Sequence, residues 1–413
     1  MSDLMIRPGL LRGTVTPPPS KSDAHRALIA ASLAGRPDLV GGLPLESSED
    51  IQATRRCLAA LAKGTIQLDC GESGTTLRLL IPVIAALGAA RQTPVILAGS
   101  GRLPLRPLAD YLAILTGHGV QLEFPPGASL PLRLSGQLTG GLFEVPGHIS
   151  SQYVSGLLLA LPLLEEDSVI RLTSPLESAP YVDMTLRTLK TFGIAVEKTS
   201  SGYRVPGGQH YRPTAYQVEK DYSQAAFWLT AAYAGSPLTV TGLNPESVQG
   251  DRVILQLLDD FRQGRAVYEI DAAQIPDLVP ALAVAAALAA GDTRFVRAGR
   301  LRLKESDRLQ ATQQALQAIG ADIVQTDDGL LVRGSGKSGA AGCLAGGTAD
   351  SWADHRIAMA LAIAALSTRN GVLLRRAEAV NKSYPDFFTE FSRLGGDIDG
   401  ILLGTKPEAQ PVR

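Results

Sequence analysis

Aromatic residues are scarce in this chain: Phe, Trp and Tyr make up 5% of its 413 residues, with two tryptophans. Stacking platforms for nucleic-acid bases are therefore few, and Ala, Leu, Ile and Val must build most of the core. Cysteine is rarer still. Cys57, Cys70 and Cys343 show no C-x-x-C spacing, which argues against a disulfide framework and against a thiolate metal site. An excess of charge of one sign is also missing: 39 Lys and Arg against 40 Asp and Glu leave a formal charge of -1, with no basic run able to track a phosphate backbone. Nucleic acid is not an expected partner, and any anionic ligand must be held by local charge. No stretch approaches the roughly 18 apolar residues of a membrane span, and Met1 to Arg12 lacks the apolar core of an export signal. A cytoplasmic protein without a membrane partner is the expectation.

What is present is a repeated alternation of two helix types. The first opens on small polar residues and continues as an Ala/Leu-rich run: Ser20 to Leu33, Gly74 to Leu87, Ser150 to Leu164, Asp221 to Ala234, Pro276 to Ala290 and Asp354 to Leu366. Each is apolar nearly all round after its first turn, as a helix buried on most sides should be. The second type is amphipathic: Ser47 to Ala62, Pro107 to Gly119, Tyr181 to Gly193, Gly250 to Phe261, Lys304 to Gly320 and Pro385 to Gly396. Four of these end in glycine before a short alternating strand such as Leu122 to Phe124 or Ile323 to Gln325, the pattern of a left-handed helix stop leading into a strand. The repeat is longer than the roughly 20 to 50 residues of a solenoid. Six α/β units, three in each of two domains, is the expected organisation, with a hinge near Gly207 to Val218.

Chemistry concentrates at the openings of the first helix type. Ser20-Lys21-Ser22, with Arg26 one turn later, sets cations and a hydroxyl at a helix N-terminus, where free N-H groups already favour an anion. Gly71-Glu72-Ser73-Gly74-Thr75-Thr76-Leu77-Arg78 lets a ligand approach the backbone but lacks the lysine of a Walker loop. Ser150-Ser151-Gln152 offers hydroxyls and an amide. Helix capping alone would explain any one of these equally well. The strongest group is Lys304-Glu305-Ser306-Asp307-Arg308 together with Pro276-Asp277 and Asp354-His355-Arg356. Lys304 and Arg308, at i and i+4, are expected on one helix face.

In this order the motifs resemble the EPSP synthase (3-phosphoshikimate 1-carboxyvinyltransferase) family of enolpyruvyl transferases. The likeness extends through Arg102, Arg106-Pro107, Ser178-Ala179-Pro180-Tyr181 and Lys382-Ser383-Tyr384-Pro385-Asp386, over nearly the whole chain. It implies an α/β fold of two similar domains, each an inside-out barrel of three βαβαββ repeats, with the active site in the cleft between them. One domain would comprise residues 1–19 and 219–413, the other 20–218. The implied substrates are phosphoenolpyruvate (PEP) and shikimate 3-phosphate, the enolpyruvyl group passing to the 5-hydroxyl with release of phosphate, a step towards chorismate and the aromatic amino acids. Ser150, Ser151, Ser178 and Tyr181 would serve shikimate 3-phosphate, Gln152 would reach both substrates, and Ser22 and Arg26 would also bind substrate. Lys21, Arg106, Arg308, Arg356 and Lys382 would cage PEP, with the Gly74 backbone near its phosphate. Two positions depart from the family pattern, Glu72, where Asn is common, and Arg300.

The reaction requires a proton delivered to C3 of PEP and one removed from the attacking hydroxyl. Glu305 is expected to supply the first and Asp277 to accept the second, with Lys21 and Lys304 sharing proton transfer. No metal-ligand spacing occurs, so no metal or cofactor is expected, and the chain is expected to act as a monomer. Two relatives by fold compete with this reading. A transferase acting on UDP-N-acetylglucosamine typically has Asn after the first lysine, where Ser22 stands here, and a Cys in the loop that here reads Gly101 to Arg106. An RNA-cyclase-like enzyme fits poorly with near-neutral charge and few aromatics. A non-catalytic anion binder would have no need of both Asp277 and Glu305.

Overall fold

The helices alternate in character along the chain. In the computed structural model, which describes residues 3–45, 47–88, 93–106, 108–336 and 342–400, they pair as α1 (Lys21–Leu33) with α2 (Glu49–Ala62), α3 (Gly74–Ala86) with α4 (Ala109–Leu115), and α5 (Ser151–Ala160) with α6 (Ala179–Thr191). The second half repeats this with α7 (Tyr222–Tyr233) and α8 (Ile254–Arg262), α9 (Val279–Leu288) and α10 (Arg308–Gln317), and α11 (His355–Ala365) and α12 (Phe387–Arg393). Pro107, the expected start of one amphipathic segment, lies outside the described residues, as do Met1, Ser2 and residues 401–413 of the expected domain ranges.

The first member of each pair is a core helix. Every residue of α9 and α11 is buried, because runs such as Ala281-Leu282-Ala283-Val284 present no polar face to solvate. The second member is amphipathic: α8 buries only Ile254, Leu258 and Phe261, spaced i, i+4, i+7. The core helices α7, α9 and α11 pack on one another, and α3 packs on both α5 and α1, with sheets around them.

Each complete unit gives one four-stranded sheet. Val267–Asp271 runs parallel to Asp292–Val296, with α9 in the crossover, and Gly329–Arg333 and Asp322–Thr326 add an antiparallel hairpin. The same order recurs in Gln67–Asp69, Val95–Ala98, Leu132–Gly136 and Val120–Glu123, and in Gly141–Val145, Ser168–Leu172, Gly202–Val205 and Glu197–Thr199. Parallel neighbours require a crossover and antiparallel ones need only a turn, so helix, helix, hairpin is what each unit's chain must do.

The chain's beginning completes its end. Leu4–Ile6 lies antiparallel between Val372–Arg375 and Ile398–Asp399, while Gly13–Val15 pairs in parallel with Leu238–Val240. Conversely Tyr216–Gln217 pairs with Val40–Gly41. The two connecting segments pass side by side at Pro19 and Lys220. Two separate cores result: one holds Leu4, Ile6, Leu11 and Val15 with residues from Tyr222 to Leu394, the other residues from Ala24 to Val218.

One sequence expectation is corrected. Lys304 and Arg308 do not share a helix face, because α10 begins only at Arg308. The Asp307 carboxylate accepts the Gln310 N-H and caps the helix there, whereas Lys304 ends a separate 3-10 turn, Gly299–Leu303. The glycine stops are as expected, with Gly119, Gly193, Gly320 and Gly395 all at positive φ.

Candidate active site

All six core helices turn their first residues to one place. Ser73, Ser150, Asp221 and Asp354 cap α3, α5, α7 and α11 with side-chain oxygens, and Ser20 caps α1. Residues from these turns, together with Asp277 of the turn before α9, line a cavity of about 120 Å³ between the two cores. Six helix N-termini around one space give it a positive potential before any side chain is counted.

The side chains add to that field. Lys21, Arg26, Arg78, Arg106, Arg300, Lys304, Arg308 and Arg356 line the cavity against Asp50, Asp221, Asp277 and Glu305, eight cations less four anions, hence +4 in a chain whose total is -1. Each site residue expected from sequence lines this cavity except Lys382. Ser22, Gly74, Ser150, Ser151, Gln152, Ser178 and Tyr181 face it from one side, and Asp277, Lys304, Glu305, Arg308 and Arg356 from the other.

Arg308 organises the acidic groups. Its Nη1 donates to Asp277 Oδ1 at 2.9 Å, Nη2 to Glu305 Oε2 at 2.7 Å and Nε to the fully buried Asp354 at 2.8 Å. Asp277 also accepts from Arg356 at 3.0 Å and from the Tyr181 hydroxyl at 3.1 Å, and Lys304 Nζ lies 3.5 Å away. Burial would push both carboxyls up, but cations outweigh it. Arg356, Lys304 and Arg308 hold Asp277 well below the usual carboxylate range, and Arg308, Arg106 and Lys382 do the same for Glu305. Lys304 moves the other way. Its burial outweighs the pull of Asp277 and brings its ammonium down to about 8. His355 is buried and both ring nitrogens lack partners; burial, Lys21 and Arg356 depress it so far that it is neutral, and its 3.8 Å approach to Asp354 is no ion pair.

Several residues differ in character from their sequence expectation. Arg26 lines the cavity but spends its donors on Thr185, Ser155 and the Ser22 and Tyr181 carbonyls, tying α1 to α6. Lys21 Nζ is held by Asp50 at 2.6 Å. Lys382 is drawn across the cleft to Glu72 at 2.9 Å, and Arg300 reaches Ser178 Oγ at 3.2 Å and Glu177 at 3.3 Å. The two positions that depart from the family pattern thus both bridge the cores. Ser178 adopts φ 55, a left-handed conformation that costs a non-glycine residue energy. Sequence reasoning assigned no role to Asp50, Thr75, Asp221 or Ser223. Asp50 opens an ordinary amphipathic helix and carried no signal, whereas Asp221 and Ser223 occupy the same helix-opening position that exposed Ser20 and Ser22 and were findable by that analogy.

The arrangement defines a cleft for polyanionic ligands with acid and base groups at hand: two α/β domains, helix N-termini and clustered cations facing one space, and two carboxyls beside it. A family model described as EPSP synthase (3-phosphoshikimate 1-carboxyvinyltransferase) matches residues 6–67 and 60–391. The chain is 41% identical to the 3-phosphoshikimate 1-carboxyvinyltransferase of Clostridium acetobutylicum and 40% identical to that of Clostridium kluyveri, covering 98% of this chain and 100% of each relative. A solved EPSP synthase from Acinetobacter baumannii superposes with a TM-score of 0.78 at 27% identity, over 97% of this chain and all of that one. The enolpyruvyl transferase NikO from Streptomyces tendae shares the fold, with a TM-score of 0.70 at 18% identity, over 97% of this chain and 98% of that one. The chain belongs to the EPSP synthase family.

Proposed function

We propose that this cleft transfers the enolpyruvyl group of PEP to the 5-hydroxyl of shikimate 3-phosphate, releasing phosphate, with Asp277 and Glu305 as the proton-handling pair. The observation that carries the reading is that both carboxyls hang from one guanidinium, Arg308, on one wall, while Ser22, Ser150, Ser151, Gln152 and Tyr181 face them from the other. Two phosphates and two carboxylates must enter together, and only fixed cations offset their repulsion in a space with little water.

Ser22, Ser150, Ser151, Ser178 and Tyr181 grip shikimate 3-phosphate, and Gln152, held by Thr75 and Arg78, spans both substrates. Arg26 acts by fixing α1 and the Ser22 carbonyl. Lys21, Arg106, Arg308, Arg356 and Lys382 hold PEP, whose phosphate lies over Gly74 at the start of α3. Asp277 accepts the 5-hydroxyl proton as that oxygen bonds to C2 of PEP, and Glu305 supplies the proton that makes C3 a methyl group. Loss of phosphate from the adduct with removal of a C3 proton restores the double bond. Lys21 and Lys304 share in these transfers, Lys304 because it titrates near neutrality.

The division into residues 1–19 plus 219–413 and residues 20–218 is supported by the two cores, and both walls of the cavity come from one chain, which supports a monomer; a cytoplasmic place of work is part of the same proposal. Phosphate release from PEP is the test, with shikimate 3-phosphate as acceptor in one arm and UDP-N-acetylglucosamine in the other. Release with the first alone is expected. Release with the sugar nucleotide alone overturns the reading.

A further inference from the structure

Glu72 sits next to Ser73, the cap of α3, and its carboxylate takes Lys382 Nζ at 2.9 Å from the opposite core, 310 residues away in sequence. The two partners differ in environment: the Lys382 side chain is 11% exposed, that of Glu72 43%. The carboxylate has a seat of its own. Gly101, at φ +59, leaves room for it, and a side chain there would collide with the Glu72 carboxylate. Lys382 also feels Glu305 and Asp50, and although burial lowers its proton affinity, these three acids together raise it, so it is an ammonium.

We propose that Glu72 is a positioning residue that stands in for the substrate phosphate: it neutralises Lys382 across the cleft until PEP displaces it. This rests on the reading of Lys382 as a PEP ligand. A buried cation left without a partner is costly, whereas a half-exposed carboxylate that swings away is resolvated at once. Exchange of one anion for another therefore leaves Lys382 paired throughout. The same exchange makes Glu72 a competitor tethered beside the phosphate site. PEP must break the Glu72 pair before it gains Lys382, and shikimate 3-phosphate need not.

Removing the competitor should tighten PEP binding. An ion pair of this half-exposed kind changes affinity by roughly two- to fivefold, so Glu72→Gln should lower KM for PEP by about that factor and leave KM for shikimate 3-phosphate in place. Glu72→Ala, which leaves nothing to bond the ammonium, should do so at least as strongly. Both variants should unfold somewhat below the wild-type temperature, because the largely buried Lys382 loses its carboxylate partner, and saturating PEP should narrow that difference. An unchanged or raised KM for PEP, or parallel movement of both KM values, overturns the inference while wild-type activity leaves the functional reading standing. A wild type that releases no phosphate from PEP and shikimate 3-phosphate overturns both.

Discussion

Gly74→Ala separates folding from binding, because the two should move in opposite directions. Gly74 is the first residue of α3 and is buried. A Cβ built there would lie 2.6 Å from Arg106 Nη1 and 2.9 Å from Arg78 Nη1. Those atoms are the tips of long side chains, so the protein relieves the clash by turning two guanidiniums aside and the helix itself need not shift. Alanine also restricts the unfolded chain more than glycine does, worth about 0.4 to 1 kcal/mol where the backbone is compatible. The melting temperature should thus stay level or rise. The guanidiniums, however, are displaced from the place proposed for the PEP phosphate. Each charge-assisted hydrogen bond lost there costs about 1.5 to 3 kcal/mol, or roughly ten- to a hundredfold in KM for PEP. Steady-state kinetics with each substrate varied in turn, beside a thermal melt, is the assay. A lowered melting temperature with equal effects on both substrates would refute the reasoning, since it would make Gly74 a folding position and nothing more.

Glu305→Gln keeps size and hydrogen bonding but removes the titratable proton, so kcat should fall by about 100- to 10,000-fold with both substrates still bound; near-normal kcat with a raised KM would make Glu305 a structural partner of Arg308. Lys304 is cationic below its value of about 8 and neutral above it, so kcat/KM for the anionic substrates should decline as pH rises through that range. Bound anions favour the charged form, so the matching limb in kcat should lie at higher pH, and Lys304→Met should abolish the alkaline limb; a limb that survives this substitution assigns it to another group. Asp354 holds Ser306, Arg308 and the Arg356 N-H, and Asp354→Ala should cost about 3 kcal/mol in urea unfolding, a buried ion pair and a helix cap together; a loss below about 1 kcal/mol would show that Asp277 and Glu305 suffice to hold Arg308.

What could be read from the chain was whatever is local. Core and amphipathic helices differ by whether polar residues recur within seven positions, so Ala281 to Leu288 and Ile254 to Phe261 declare their types without a partner. Glycine stops such as Gly193 and Gly320 are equally local, since the left-handed turn they make depends on one residue. The start of α10 failed for the same reason. Lys304-Glu305-Ser306 has acceptable helix propensity, and only the capping bond from Asp307 and the turn packed before it stop the helix there. Long-range pairing was illegible. Asp50 holds Lys21 across 29 positions, Asp354 holds Arg308 across 46 and Glu72 holds Lys382 across 310, and nothing in the local pattern of any of these acids announces its partner. Glu72 stood out only as a departure from the family pattern, and its meaning came from the opposite core.

The cations of the cleft hold its acids ionised, and this bears on when the proposed acid can act. A proton donor must first hold a proton, yet Glu305 is kept ionised chiefly by Arg308, with Arg106 and Lys382 adding to the effect against the opposing pull of burial. Arg106 Nη1 stands 4.0 Å from Glu305, close enough to depress its pKa and too far to bond it, and Arg106 Nε is buried without a partner. These are cations waiting for a stronger anion. A substrate phosphate and carboxylate that engage Arg106 and Lys382 place negative charge between those groups and Glu305, which stays buried. The weakened pull of the cations leaves burial to raise the carboxyl's proton affinity. On the proposed assignment Glu305 is therefore a poor acid in the free protein and becomes a competent one as the anions arrive, so that the enol phosphate of PEP meets a proton donor in the fully loaded cleft. Asp277 is subject to the same logic with the opposite requirement: Arg356, Lys304 and Arg308 keep it ionised, as an acceptor for the hydroxyl proton must be. One cluster of cations can serve both, because the pair needs opposite protonation states and the carboxyl with the larger share of displaceable partners is the one the substrates switch.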